Sequence, residues 1–301
     1  DRHSFDNWGA YVQAIYQPTE ALKIVPAFRV DRFDGDTRLM DGTTAELQRY
    51  GTIKQPKLSV VYALGDTANV YANWGRTFQV LTGSTPPAYL TPGQAAMAPS
   101  TNTGMELGMK FSPFAGSQAR LAVWQQDAEN EVSNMPATGT TVTLGETRRR
   151  GVDVQLSAQL GDSWTLWASH AYQEAKITRD TRGAALSLEG REVAATPRHI
   201  SNIGLDYQAT DALQLGLQGR AQSDYYLEER NVAGKYGAFA VLDLSARYDI
   251  SPRWSVDLQV KNVTGREYAY VWYDSFFWQQ AQPMFSPSSG RAVFVGLNMK
   301  L

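Results

Sequence analysis

The sequence predicts an all-β protein, an antiparallel up-and-down barrel that crosses a membrane, and three observations support this. Apolar residues stand at every second position from 293 to 301, with Phe294 as the one exception among the residues between them. Such alternation gives a strand one apolar and one polar face. About 13 segments of this kind follow one another, which is too many for anything but an all-β fold. Tight turns also alternate with long loops, as they do in bacterial membrane barrels.

The chain divides into hairpins when it is followed from its first residue. Short turns, rich in Gly, Pro, Asp, Ser and Thr, join the strands in pairs and centre near Thr19, Asp66, Gly116, Asp162, Thr210 and Pro252. Longer polar connections lie between the pairs, at residues 34–51, 82–102, 178–195 and 264–289. The predicted strands occupy residues 8–16, 22–31, 57–64, 68–78, 105–111, 120–132, 142–160, 164–177, 198–207, 213–226, 238–250, 254–263 and 291–301.

Both faces can be assigned along whole strands. In 242–250 and 254–261, apolar side chains at even positions alternate with Asp, Ser, Arg, Gln and Lys at odd positions. We expect the apolar face to meet lipid and the polar face to line a wet lumen. An unpaired buried charge is costly, so charged lumen residues should pair with each other or with other groups inside the lumen. The residues concerned are Lys23, Arg29, Asp31, Glu106, Lys110, Asp153, Asp243, Arg247, Asp257 and Lys261.

Composition excludes several classes of protein. The 301 residues contain no cysteine, so there is no disulfide framework and no thiol chemistry. A formal charge of −2 gives no indication of nucleic-acid binding. No apolar run approaches the ~18 residues of a membrane helix. Mean hydropathy is −0.36, which would suggest a soluble protein, but a barrel with a polar lumen and hydrophilic loops escapes that inference.

Three further possibilities have to be weighed: a soluble propeller, a passive or structural membrane barrel, and an enzyme. A soluble propeller has a similar repeat length, but its inner strands need apolar residues on both faces. A passive or structural membrane barrel would share every pattern described so far. An enzyme would require His199, Ser201 and Asp206 to act together, yet these residues do not share one strand face and no Gly-x-Ser-x-Gly motif occurs. His170 has no partner at metal-ligand spacing, so we expect a half-buried wall residue, no metal site and no cofactor.

Several segments together resemble the barrel of TonB-dependent outer-membrane receptors, in the order in which that family carries them. They are 56–62 (PKLSVVY), 71–78 (YANWGRTF), 102–110 (NTGMELGMK), 148–153 (RRRGVD), 197–199 (PRH), 261–268 (KNVTGREY) and the ending 288–301. The resemblance implies a barrel of 22 strands around an N-terminal plug. It also implies uptake of a scarce nutrient, such as a ferric siderophore or a similar metal chelate, with energy from TonB.

The resemblance covers only part of such a receptor. We expect neither a plug nor a TonB-box segment within residues 1–301, and about 13 strands cannot supply 22. We therefore expect residues 1–301 to form the C-terminal part of the barrel as a single domain, located in the outer membrane of a Gram-negative bacterium. Alone, these strands should not close into a sealed monomeric barrel, because open edges cannot be satisfied in lipid.

The candidate ligand site lies in the last long loop and at two arginines. Seven aromatic residues fall within positions 268–278, too many for a merely solvated loop, although they could simply pack against one another. An aromatic surface with glutamine handles could capture a rigid chelate, and arginines could attract an anionic one. The predicted ligand-binding residues are Trp272, Tyr273, Phe276, Phe277, Trp278, Gln279, Arg149 and Arg191. Arg149 should share the lumen face with Asp153, whereas Arg148 and Arg150 should face lipopolysaccharide phosphates outside.

Overall fold

The computed structural model describes residues 2–38, 44–46, 51–79, 99–135, 140–180, 187–274 and 282–300, and within them it contains strands only. No helix in these ranges is long and apolar enough to cross a membrane. The strands are β1 (Arg2–Gln13), β2 (Leu22–Arg38), β3 (Thr44–Glu46), β4 (Thr52–Leu64), β5 (Ala68–Gln79), β6 (Ser100–Phe111), β7 (Ser117–Met135), β8 (Thr140–Leu160), β9 (Trp164–Arg179), β10 (His199–Thr210), β11 (Leu213–Gln222), β12 (Tyr225–Tyr226), β13 (Lys235–Tyr236), β14 (Phe239–Ser251), β15 (Trp254–Lys261), β16 (Ala269–Asp274), β17 (Gln282–Pro287) and β18 (Ala292–Met299).

Strand order in the main sheet follows chain order. The path runs β1-β2-β4-β5-β6-β7-β8-β9-β10-β11-β14-β15-β18, with the short β3 paired to β2, and every pairing is antiparallel. The path holds the 13 long strands predicted from the sequence, so the all-β, up-and-down fold is confirmed. Among the described residues no register joins β1 to β18, so this sheet is an open wall.

The pairing register keeps the two faces separate across neighbouring strands. One outer row of partners runs Leu205, Leu217, Leu244, Val260 and Val293, and all five side chains are apolar. On the opposite face, Gln214, Arg247 and Asp257 stand side by side. Since a slip of one residue would exchange the faces, this register is what places apolar side chains outside and polar ones inside.

The strands of the middle of the wall extend further than the sequence indicates. β7 has 19 residues and β8 has 21, well beyond the ~10 that cross a membrane. Two small hairpins, β12–β13 and β16–β17, lie outside the main sheet within long loops. The predicted strand at 213–226 is therefore wrong at its end: the main strand stops at Gln222, and Tyr225 begins a separate hairpin.

Candidate functional site

Long loops gather at the end of the wall opposite the short turns. We call residues 187–198, 223–238 and 262–291 the outer loop cluster, which includes both small hairpins. The first two loops join through the backbone, because the amide of Ala195 donates to the carbonyl of Tyr226 at 2.8 Å. The second and third join at the Tyr225 hydroxyl, which donates to the carbonyl of Val271 at 3.1 Å and accepts from its amide at 3.2 Å. The described parts of these loops thus form one connected layer.

A polar junction strengthens the contact between the first two loops. The amide side chain of Asn231 donates to the carbonyl of Glu192 at 3.0 Å and accepts from its backbone amide at 2.7 Å, as a neighbouring strand would. Arg198 donates to the Glu192 carboxylate at 2.6 Å, and the ammonium of Lys235 lies 3.8 Å from it. Asn231 has a positive φ of 58°, a conformation that Asn tolerates better than most residues. Its side chain therefore extends the sheet-like bonding from one loop to the next.

Aromatic side chains line part of the outer loop cluster. The ring centroid of Phe239 lies 4.4 Å from that of Tyr268 and 6.1 Å from that of Tyr270. Tyr270 remains 49% exposed, so this aromatic group presents a surface rather than only a packed core. On the neighbouring hairpin the ammonium of Lys235 stands 4.5 Å from the ring centre of Tyr226, a cation–π contact. The β12–β13 hairpin was not predicted from the sequence, although Gly234 and Gly237, which flank Lys235 and Tyr236, were a signal for it.

The structure places only some of the predicted ligand residues. Trp272 and Tyr273 lie on β16, where the backbone is described and the side chains are not. Four further predicted residues lie outside the described residues: Phe276, Phe277, Trp278 and Gln279. Arg191 is exposed, and within the described chain it forms no ion pair. Its backbone carbonyl accepts from Ile177, so the loop that carries Arg191 runs beside the outer half of β9.

The side chain of Arg149 faces the lumen, as predicted, but its guanidinium is already paired with the carboxylate of Glu131. Its guanidinium donates to both oxygens of Glu131, at 2.7 Å and 2.6 Å, and the Thr147 hydroxyl also donates to that carboxylate. Burial alone raises the pKa of Glu131, but the bonds from Arg149 and Thr147 outweigh burial and hold this pKa below its ordinary value. Arg149 therefore brings little net charge to a ligand.

This ion pair lies beyond the membrane. Glu131 pairs with Gly145, which precedes the end of β8 at Leu160 by 15 residues. At about 3.3 Å per residue and a tilt of about 40°, that is roughly 38 Å along the membrane normal, more than the ~25 Å apolar band. Arg149 and Glu131 thus stand at the base of the outer loops.

Ion pairs join most of the charged lumen residues, as predicted, although within the described residues Lys23, Lys110 and Asp153 form no ion pair. Arg29 donates two hydrogen bonds to Asp31, at 2.7 Å and 2.6 Å, and this carboxylate is only 1% exposed. Further along the wall, Arg120 binds Glu106 at 2.8 Å, and Arg247 approaches Asp257 at 3.7 Å. Pairing of this kind removes most of the cost of placing charges on a half-buried surface.

The charged pair Asp243 and Lys261 also fixes a loop. Asp243 accepts from the ammonium of Lys261 at 3.3 Å and from the backbone amide of Asn262 at 2.7 Å. Asn262 is buried, has a positive φ of 48° and bonds Arg266 through both ends of its side-chain amide. The KNVTGREY segment therefore turns the chain from β15 into the last long loop.

The structure gives no support to a Ser–His–Asp arrangement. His199 and Ser201 lie on the outer face, where Nδ1 of His170 lies 2.8 Å from the Ser201 hydroxyl, whereas Asp206 approaches Gly216 on the lumen face. His170 is exposed, so the prediction of a half-buried position is wrong: its ring projects from the outer face, beside the Ser201 hydroxyl and with its centroid 5.5 Å from that of His199. In the described ranges no three His, Cys, Asp or Glu residues could hold a metal ion together.

An open antiparallel wall with an apolar outer face, an ion-paired inner face and alternating short turns and long loops is the wall of an outer-membrane β-barrel. The family model described as "TonB dependent receptor-like, beta-barrel" matches residues 1–263. The chain belongs to this family, which confirms the resemblance found in the sequence and the outer-membrane location.

Individual relatives cover most of this chain. The metal-pseudopaline receptor CntO of Pseudomonas aeruginosa is 26% identical over 266 residues, which are 85% of this chain and 36% of that receptor. The ferrichrome outer membrane transporter/phage receptor of Escherichia coli is 28% identical over 197 residues, 60% of this chain and 25% of the transporter. The matched parts thus span between a quarter and about a third of the length of these curated relatives.

Solved structures agree in fold. The unliganded ferric citrate transporter FecA superposes with a TM-score of 0.80 at 22% identity, over 98% of this chain and 45% of that one. The copper transporter OprC gives a TM-score of 0.73 at 16% identity, over 98% of this chain and 47% of that one. At these identities the likeness concerns the barrel wall alone.

Proposed function

We propose that the full-length protein is an active-transport receptor that captures a metal chelate, such as a ferric siderophore, and imports it across the outer membrane. The observation that carries this proposal is the outer loop cluster. Its loops are bonded into one layer at the outer ends of the strands, with exposed aromatic rings such as Tyr270. Several relatives are named as receptors or transporters of metal-pseudopaline, ferrichrome and ferric pyoverdine, which supports a cargo of this class.

Residues of the last loop and two arginines form the proposed capture surface. Trp272 and Tyr273 lie on β16 next to Tyr270, and we assign stacking on the chelate to them together with Phe276, Phe277 and Trp278. Gln279 supplies a polar contact. Arg191 is the exposed cation that attracts an anionic chelate, while Arg149 acts through its pair with Glu131 by shaping the loop base.

Two partners complete the proposal. Residues 1–301 act as the C-terminal part of the barrel, and the contact with TonB is made through a plug segment outside these residues. Lipopolysaccharide and other outer-membrane lipids cover the apolar outer face, whose side chains include Leu244 and Val295, 43% and 74% exposed. The lumen face, with its ion pairs, meets the plug.

Growth under iron limitation tests the function. The full-length protein is expressed as the single receptor of its class in a bacterial strain, and ferrichrome, ferric pyoverdine, ferric citrate or metal-pseudopaline is supplied. We expect growth on at least one chelate, and we expect this growth to require TonB. Growth on all of the supplied chelates, with or without TonB, would instead identify a passive barrel and overturn the proposal.

Aromatic substitution then tests the capture surface. Replacing Trp272, Tyr273 and Trp278 by Ala should weaken binding of the growth-supporting chelate about tenfold or more, because stacking area is lost. The matched control replaces three aromatics near the short turns, Tyr62, Trp164 and Tyr248, and should leave chelate affinity unchanged. Both variants must still fold, which is checked by a detergent gel on which the unboiled, folded barrel migrates differently from the boiled protein (heat-modifiable migration). If the loop variant binds the chelate as tightly as the unchanged protein, the aromatic residues do not contact the ligand and only pack within the loop.

A further inference from the structure

An apolar groove crosses the outer, lipid-facing side of the wall from β4 to β9. Its volume is about 860 Å³. The floor is one row of cross-strand partners, in which Ala72, Leu107, Val123 and Val152 follow one another on β5, β6, β7 and β8. Large side chains such as Trp74 form its wall. Ala72 is smaller than its partners Val60 and Leu107, and Trp74 and Met105 stand beside it in the next row, so the surface has a groove rather than an even apolar band.

The groove has a charged end at β8 and β9. Arg150 lines this end and donates to Glu174 through Nε at 3.1 Å and Nη2 at 2.8 Å. In the next row toward the loops, Nε of Arg148 donates to Asp127 at 2.6 Å, and Lys176 is the cross-strand partner of Arg148. All of these side chains share the outer face. Three cations and two carboxylates give this rim a net positive charge.

The arginines, not the carboxylates, are the more exposed members of these pairs. The side chain of Arg150 is 64% exposed against 21% for Glu174, and that of Arg148 is 50% exposed against 35% for Asp127. A guanidinium has five N–H donors, and the described bonds use two on Arg150 and one on Arg148. The remaining donors are free to bind the oxygens of a phosphate in a charge-assisted way.

The position of the groove in the membrane fits an acyl chain below a phosphate. Arg150 precedes the end of β8 at Leu160 by ten residues, which is roughly 25 Å along the membrane normal, the height of the apolar band. Leu58 and Val60, at the other end of the groove, precede the end of β4 at Leu64 by only six and four residues. The groove therefore descends from the outer rim toward the middle of the hydrocarbon layer.

We propose that this surface binds one lipopolysaccharide molecule at a defined site. A lipid A phosphate lies against Arg148 and Arg150, and one of its acyl chains fills the groove over Val123 and Val152. Lipopolysaccharide is the occupant because the charged end is at the outer rim, where the lipid of the outer leaflet carries its phosphates. The site rests on the membrane orientation used in the proposed function, but not on the identity of the transported chelate.

Retention of lipid A during purification tests the site. The full-length protein is extracted from the outer membrane in mild detergent, and bound lipid is identified and counted by native mass spectrometry. The unchanged protein should carry one lipid A per chain. The double variant Arg148→Gln and Arg150→Gln should lower the loaded fraction roughly tenfold, because charge-assisted bonds to phosphate are removed. Val123→Trp, which fills the groove and keeps both arginines, should lower it as well.

A matched control shows whether lipid A retention depends on this site or on any positive charge at the outer rim. Lys54 also faces outward and precedes the end of its strand by ten residues, but it lies outside the groove, so Lys54→Gln should retain lipid A. Added lipid A should reload the unchanged protein, and dephosphorylated lipid A should not. Equal retention in all variants, or a two-chain phospholipid as the bound species, would overturn the proposal. Chelate binding measured on the same samples shows separately whether the proposed function fails.

Discussion

The indole of Trp167 occupies the space beside Gly204 where a side chain would begin. The two residues are direct cross-strand partners on β9 and β10, and a Cβ placed on Gly204 would collide with the indole. The same relation joins Tyr71 to Gly108, and Trp124 to Gly151. In each pair the aromatic ring covers a glycine on the lumen face, which shields the exposed backbone there and stiffens the sheet.

A first prediction follows for Gly204. Gly204→Ala should destabilise the full-length protein by about 1–3 kcal/mol, because the new methyl group forces the indole out of its position. The measurement is the temperature at which heat-modifiable migration is lost. Gly104→Ala is the control, since Gly104 also faces the lumen from the interior of a strand, and a methyl group added there would meet no other atom within 4 Å. If both variants lose heat-modifiable migration at the same temperature, the position of the Trp167 indole over Gly204 does not contribute to stability.

The second prediction concerns the two faces of the wall. Leu244→Arg or Leu258→Arg should cost about 2–4 kcal/mol of folding free energy in a bilayer, because a cation then faces lipid near the midplane. Ser245→Arg and Gln259→Arg, the neighbouring positions on the lumen face, should be tolerated. Folding yield into lipid vesicles measures the difference. The face assignment fails if both sets fold equally well.

The third prediction is a pH dependence at the base of the outer loops. The pKa of Glu131 is held below its ordinary value of 4.5, so its pair with Arg149 stabilises the protein above that pH and the contribution disappears as pH falls through the lowered pKa. Glu131→Gln should therefore be less stable than the unchanged protein at pH 7. The difference should shrink below about pH 4.5. Melting curves from pH 7 to pH 3 measure it, and a pH-independent difference would exclude titration of this pair.

The fourth prediction concerns the junction between two loops. Asn231→Asp keeps the acceptor oxygen toward the Glu192 amide but replaces the donor to its carbonyl with a second negative charge near the Glu192 carboxylate. We expect residues 223–238 to open more easily, by about 1–3 kcal/mol. Protease cleavage within this loop should accelerate while the barrel stays intact. Asn231→Gly, which tolerates the same positive φ, separates loss of the amide from backbone strain, and unchanged cleavage in both variants would contradict the role of this junction.

The sequence predicted the wall well because its signals are local. Alternation of apolar and polar residues sets each strand, and the short turns set its partner, so residues such as Leu244 and Asp243 could be assigned to faces in advance. The loops were less predictable. Contacts such as Tyr225 with Val271 join residues 46 positions apart, and no periodic pattern encodes them. The pairing of Arg149 with Glu131 was not predicted either, because a bulge at Asn130 shifts the pairing register of β7 and β8 and alternation along each strand does not reveal that shift.

Because strand order in the main sheet follows chain order, the resistance of the wall to a pulling force depends on the direction of the force. Along the main path each strand is hydrogen-bonded to the strand before it and the strand after it in that path, so a force applied along one edge separates a single row of inter-strand hydrogen bonds at a time. Such a sheet should peel apart one strand at a time, with each step releasing the length of one strand and of the connection that follows it. The longest such row, between the 19-residue β7 and the 21-residue β8, would then be the strongest point of the wall.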